Sequence, residues 1–311
     1  ILSGLVGSEM CIRDSSMSTR LRFMSLRRQE IALIAVTAVW GSTFLLVHWA
    51  MQHSGPWFFV GIRFLIAGLI SVVICRRALR GMRWRDIGAG VAIGVMIHLG
   101  YGLQTVGLQT IDSSTSAFIT AMYIPLVPLA QWAVFRKRPP AMAFVGAALA
   151  FLGLLFIAGP DAFALTLGSG EILTLISTLP IAAEIILISV FAGRIDLGRI
   201  TIVQLLTAGA LGILTMPVVG EGLPEFSWIW VGCAVGLGAA SCIIQLTMNW
   251  AQKSVSPTRA TIIYAGEPVW AAVIGRIAGE RLPLAALIGG ALVVLGILAS
   301  ELTPVRRRPN E

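Results

Sequence analysis

The sequence predicts an all-α membrane protein of ten transmembrane helices, folded as two inverted five-helix repeats, and three observations carry that prediction. Of the 311 residues, 57% are hydrophobic and only 12% charged, with a mean hydropathy of +0.86. Soluble domains run nearer about 45–50% apolar and about 25% charged, so a water-soluble fold of this composition lacks the polar surface to cover itself. The apolar residues are gathered into runs of spanning length, and the second half of the chain repeats the register of the first.

A spanning helix takes about 20 mostly apolar residues. Ten segments qualify, at 31–50, 57–75, 87–108, 115–135, 141–158, 171–191, 201–219, 228–250, 258–275 and 283–302. Short connections rich in Gly, Pro, Ser and Arg separate them, and the tightest, RKRPP at 136–140, leaves no room for an extramembrane domain. Arginine placement orients the bundle. With the N-terminus inside, eighteen Lys and Arg residues share the inner side, among them Arg20, Arg76, Arg85, Arg136, Arg194, Arg199, Lys253 and the basic tail Arg306–Arg308. Only Arg276 and Arg281 fall outside, where the loops carry Asp112, Asp161, Glu221 and Glu225. This positive-inside bias predicts two cytoplasmic termini.

Shifting residues 115–158 forward by 143 superimposes Pro125 on Pro268, Arg138 on Arg281, Pro140 on Pro283, Gly146 on Gly289 and Gly153 on Gly296, without a gap. A shift of 141 places LIAG at 65–68 on LTAG at 206–209. Five helices per unit is an odd number, so the second copy enters the membrane from the opposite side. Inverted repeats of this kind mark secondary transporters, whose substrate sites lie near the midplane between the halves. The expected units are 31–159 and 170–302, flanked by a cytoplasmic segment at 17–30 and a basic tail at 303–311. Ile1–Ser16 reads as a non-native leader: it has neither signal-peptide order nor spanning length, GLVGSEMCIRDS resembles translated adapter or vector sequence, and Met17 is the expected start.

The motifs VWGSTF at 39–44, FVGIRFLIAGL at 59–69 and YAGEPVWAAVIGRIAGERL at 264–282 resemble the drug/metabolite transporter superfamily, and more closely its EamA-type ten-helix permeases. The resemblance covers 31–302. It implies a multi-pass protein of the bacterial inner membrane that exports amino acids, related metabolites or toxic compounds, without fixing the substrate.

Charged groups inside spans cost about 2.5–3.5 kcal/mol each at a helix centre on insertion scales, so each needs a reason. Arg63 is either an anion-binding or gating group or an arginine packed on backbone carbonyls and snorkelling outward; the resemblance places an arginine here in many chains. Glu184, in PIAAEIILISV, has no charge within a turn. Desolvation penalises its anion, which suits a proton-coupling role, and the alternative is a permanently neutral acid bonded to a neighbouring helix. The family resemblance implies no fixed acid here. Glu267 precedes Pro268, whose ring frees a backbone carbonyl one turn earlier; it is read as a second coupling acid or as the lock of a kink. Pro125 is its partner proline, preceded by Ile124.

The softer substrate-binding candidates are Trp40, Ser42 and Thr43 in the first helix, His98, Tyr101 and Gln104 on one face of the third, Gln245 and Asn249 on the eighth, and Tyr264 before the ninth-helix kink. Such stripes line an aqueous cavity or make interhelical hydrogen bonds worth about 0.6 kcal/mol each. Gly90-xxx-Gly94 and Gly232-xxx-Gly236 are candidate close-packing pairs.

The function classes narrow accordingly. The basic clusters sit between apolar runs and not on an aromatic-interleaved face, which argues against nucleic acid. Three histidines and four dispersed cysteines offer no metal-ligand spacing, and no His-Glu-x-x-His, Gly-x-Ser-x-Gly or Walker motif is present. The expected partners are a small-molecule substrate and the lipid bilayer, with no cofactor, no metal and no obligate protein partner. A membrane-embedded enzyme or a channel is the alternative class.

Overall fold

The computed structural model of the chain describes residues 28–136, 141–158, 167–255, 257–279 and 283–301. The leader, the 17–27 segment and the tail from 302 lie outside the described residues, as do Lys137, Arg138, Asp161 and Arg281. The described residues form twelve α-helices: α1 (Arg28–Ala50), α2 (Pro56–Ile74), α3 (Trp84–Gly107), α4 (Ser113–Thr120), α5 (Tyr123–Phe135), α6 (Ala141–Ala158), α7 (Ser169–Phe191), α8 (Leu197–Val218), α9 (Trp228–Ala251), α10 (Pro257–Tyr264), α11 (Glu267–Ile277) and α12 (Leu284–Glu301). A 3₁₀ turn at Arg76–Leu79 joins α2 to α3. Seven stretches are long and apolar enough to cross a membrane, and shorter apolar helices run over 144–153 and 287–296.

Every predicted segment is helical, but those at 115–135 and 258–275 are each broken in two. The breaks fall at 121–122 and 265–266. Pro125 and Pro268 follow them, and each removes a donor and crowds the carbonyl four residues back, so the helix restarts with the proline in its first turn. Three helix starts are satisfied by side chains beyond their own first turn or at the cap. Asp196 accepts from the Gly198 and Arg199 amides at the head of α8, and Ser227 accepts from Ile229 at the head of α9. The α2 start is held from the other half of the chain: the Glu221 carboxylate accepts from the Trp57 and Phe58 amides at 3.0 and 2.7 Å, a favourable place for an anion.

The packing is reciprocal. α2 lies against α8 and α6 against α12. α3 packs on α7 as α9 packs on α1, α3 on α8 as α9 on α2, and α5 on α7 as α11 on α1. Exchanging α1–α6 for α7–α12 leaves this pattern unchanged. It holds at single atoms. A Cβ on Gly153 would stand 2.5 Å from the Gly289 carbonyl oxygen, and one on Gly296 would stand 2.5 Å from that of Gly146. Likewise Gly68 abuts the Leu206 side chain while Gly209 abuts Leu65. Gly90 and Gly94 are close-packed against α8, at Val203 and at Gln204 and Thr207. Gly232 and Gly236 meet no atom within 4 Å among the described residues, so that expected packing pair is corrected: this face of α9 is not a helix contact.

The polarity of the bundle is inverted relative to a soluble protein. Val73, Val218, Trp84, Trp228 and Ile277 lie exposed, whereas Arg63, Gln204, Glu184, Gln245 and Glu267 are buried. An outer surface this apolar is suited to lipid, where only the interior can satisfy polar groups.

Candidate functional site

The two helix breaks meet at the centre of the bundle. Tyr123 opens α5 and Glu267 opens α11, and the Tyr123 hydroxyl donates to Glu267 Oε2 at 3.1 Å. Thr120, the last residue of α4, accepts from Gln104 Nε2 at 2.9 Å. Tyr264, the last residue of α10, is fully buried and meets Trp40 edge to face at 5.5 Å between ring centroids. The Tyr264 hydroxyl has no hydrogen-bond partner, although the Gln252 carboxamide approaches it; that amide is itself unpaired.

A chain of carboxamides leads into this region from α8 and α9. Asn249 Nδ2 donates to Thr201 Oγ1 at 3.0 Å and to Gln204 Oε1 at 3.4 Å. Gln204 Nε2 donates to Gln245 Oε1 at 2.7 Å, and Gln245 Nε2 to Glu184 Oε1 at 2.8 Å. The second oxygen of Glu184 has no partner, and the residue is 1% exposed. One turn before Gln245 on α9, Ser241 Oγ accepts from the Nε of the buried Arg63 at 2.9 Å. Its guanidinium lies 5.2 Å from the Phe64 ring and 5.4 Å from the Tyr101 ring, distances at which a cation is attracted to the ring face. Tyr101 stands within electrostatic reach of Arg63, Glu184 and Glu267 together.

The structure thus gathers Trp40, Arg63, Tyr101, Gln104, Glu184, Gln245, Asn249, Tyr264 and Glu267 into one interior region. The other candidates are engaged with partners outside this network. Ser42 and Thr43 turn their hydroxyls back onto the Val39 and Trp40 carbonyls of their own helix at 2.6 and 2.7 Å. His98 bonds Thr215 through Nε2 at 3.2 Å and lies against Trp57, away from the acids, with Nδ1 unpaired. Tyr123, Thr201, Gln204, Ser241 and Gln252 were not anticipated from the sequence. Gln204 carried a signal, an amide alone in ITIVQLLTAG. The others are ordinary residues in apolar helices until their partners are known.

The sequence profile of the EamA-like transporter family matches the chain twice, over residues 28–159 and 168–301. The chain belongs to the EamA-like transporter family. An uncharacterized transporter of Archaeoglobus fulgidus is 28% identical over 277 residues, covering 88% of this chain and 85% of that protein. The inner membrane transporter YedA of Escherichia coli is 28% identical over 275 residues, covering 84% and 87%. An S-adenosylmethionine/S-adenosylhomocysteine transporter of Chlamydia trachomatis is 31% identical over 117 residues, 34% of this chain and 36% of its own. A solved crystal structure shares the fold at a TM-score of 0.66 and 18% identity, covering 89% of this chain and 99% of that one. This EamA-like protein is therefore a multi-pass membrane transporter of a small molecule.

Proposed function

We propose that the protein is a secondary transporter of the bacterial inner membrane that exports a small metabolite, such as an amino acid or a toxic compound, in exchange for protons. In this reading ten spans form two inverted five-helix repeats, 31–159 and 170–302, with both termini cytoplasmic. α4 with α5, and α10 with α11, each make one broken span. Glu184 and Glu267 carry the coupling protons, and Arg63, Tyr101, Gln104, Gln245, Asn249, Trp40 and Tyr264 line the path, with Ser42, Thr43 and His98 flanking it.

The observation that carries the reading is the meeting of the two breaks at the Tyr123–Glu267 hydrogen bond. Interrupted helices at the interface of two repeats are where transporters place substrate and ion sites, and irregular backbone at membrane depth is tolerated where protein or a cavity satisfies it. The reciprocal glycine contacts support the repeat, because a contact of i with j matched by j with i is the mark of a two-fold relation. The orientation is supported by Arg199, which donates to the Ala78 and Arg80 carbonyls and pairs with Asp86 at 3.1 Å. That contact puts two arginine-rich connections on one face. The Chlamydia trachomatis relative, by its name, moves a small organic metabolite.

The test is a metabolite and toxin panel on cells with and without the gene, read as extracellular accumulation, followed by flux of the responding solute in proteoliposomes. Uphill flux that follows an imposed pH gradient and needs no nucleotide is expected. Flux that is indifferent to every ion gradient, or chemical conversion of the solute, would refute the reading.

A further inference from the structure

We infer that the solute this transporter takes is a small organic cation, an ammonium or sulfonium compound, held in an aromatic cage built around Glu184 and Glu267. The inference rests on the transport reading and adds the chemistry of the cargo.

The chain has only three tyrosines, at positions 101, 123 and 264, on three different spans. All three are buried in one contiguous cluster with Trp40 and Phe64. Tyr123 bonds Glu267 directly. Tyr264 packs on Trp40 and lies within electrostatic reach of both acids, as does Tyr101. One of the two carboxyl groups, which are 1% and 2% exposed, is thus bonded by Tyr123, and the Tyr264 ring that packs on Trp40 belongs to the same buried cluster.

Neither acid has a cationic partner among the described residues. Glu184 receives one amide and leaves Oε2 unpaired, and Glu267 receives one phenol. The cation near them among the described side chains, Arg63, is engaged through Ser241 and the Phe64 and Tyr101 rings. Among the described side chains, one buried positive group stands against two buried acids, a deficit of one positive charge. A buried charge without a counter-charge costs several kcal/mol, so the site is completed either by a proton or by a cation from the cargo. Aromatic faces beside carboxylates favour the second kind of occupant, since rings attract a weakly hydrated cation and the acids supply its counter-charge. The Tyr264 hydroxyl and the Gln252 carboxamide that approaches it have no other hydrogen-bond partner and supply polar contacts for the remainder of the same molecule. Competition of cation and proton for the same acids is also what an exchanger requires.

The test is equilibrium dialysis of the full chain in nanodiscs against three probes: benzyltrimethylammonium, 3-phenylpropionate and 4-phenyl-1-butanol. The cation should bind at least tenfold more tightly than the anion or the alcohol. Glu184→Gln and Glu267→Gln should each weaken it about tenfold or more, the loss expected when a charged partner is neutralised. Trp40→Leu should weaken it about 2- to 30-fold. Glu184→Asp should retain most of the binding that Glu184→Gln loses. If a Gln variant is isolated unfolded, Trp40→Leu and Glu184→Asp carry the test. Equal or tighter binding of 3-phenylpropionate, or cation affinity unchanged in the variants, would overturn the inference. Flux separates it from the reading beneath it. Proton-coupled export of an anionic or neutral solute alone would remove the cation and keep the transporter. Cage-dependent cation binding with no solute flux would do the reverse.

Discussion

The reciprocal seam between α6 and α12 makes a quantitative prediction. Gly153→Ala places a Cβ 2.5 Å from the Gly289 carbonyl oxygen, 2.8 Å from Val293 Cγ2 and 2.9 Å from the Val293 amide nitrogen. Gly296→Ala places one 2.5 Å from the Gly146 oxygen and 2.7 Å from the Ala150 amide nitrogen. Two of the atoms met on each side are backbone, so no rotamer change relieves the overlap, and the helices must part by roughly 1 Å to regain ordinary contact distance. Overpacking of this kind costs about 1–3 kcal/mol. The two substitutions should therefore destabilise by similar amounts. The double variant should cost less than their sum by about 0.5 kcal/mol or more, because a seam opened by one methyl has room for the other. Gly232→Ala, which meets nothing within 4 Å, should be neutral or slightly stabilising through helix propensity. Equilibrium unfolding of the purified protein in mixed micelles titrated with SDS measures all four. A severe effect of Gly153→Ala beside a neutral Gly296→Ala, or strict additivity, would refute the reciprocal seam.

Two further predictions concern the ends of the helices. Glu221→Ala removes the acceptor of the Trp57 and Phe58 amides and should destabilise by about 1–2 kcal/mol, with Glu221→Gln costing less; the same micelle titration reads both, and equal losses would show that the carboxylate's two acceptors are not what holds α2. Reporter fusions placed after Arg85 and after Glu225 should report cytoplasm and periplasm respectively, and two fusions on one side would contradict the inverted arrangement.

The sequence made the helices legible because burial in lipid demands long apolar runs, and those runs stand out by length alone. The repeat was legible for a narrower reason. Gly153 and Gly296 each face the backbone of the counterpart helix, at the carbonyls of Gly289 and Gly146, so a side chain at either position would cost packing. The prolines foretold a kink at Pro268, but the matching break at 121–122 was read through, since Ala121 and Met122 are themselves good helix formers. The site was harder to read. A hydroxyl such as that of Ser42 or Thr43 reads as polar in sequence, yet it satisfies itself on the carbonyl three residues back. Gln204 and Tyr123 acquire meaning only from the Gln245 amide and the Glu267 carboxyl that tertiary packing sets against them. Periodicity places a residue on a face; it does not say what stands opposite.

We propose that Glu184 and Glu267 couple protons to solute movement. Replacing either with Gln keeps the shape and much of the hydrogen bonding while removing the titrating proton. The decisive measurement is made in proteoliposomes loaded with the exported solute, comparing uphill flux driven by an imposed pH step with downhill exchange at equal pH. Glu184→Gln or Glu267→Gln should abolish the pH-driven flux and spare part of the exchange. Full pH-driven flux in both variants, with the pH dependence of the unsubstituted protein, would show these acids to be structural and would contradict the coupling assignment.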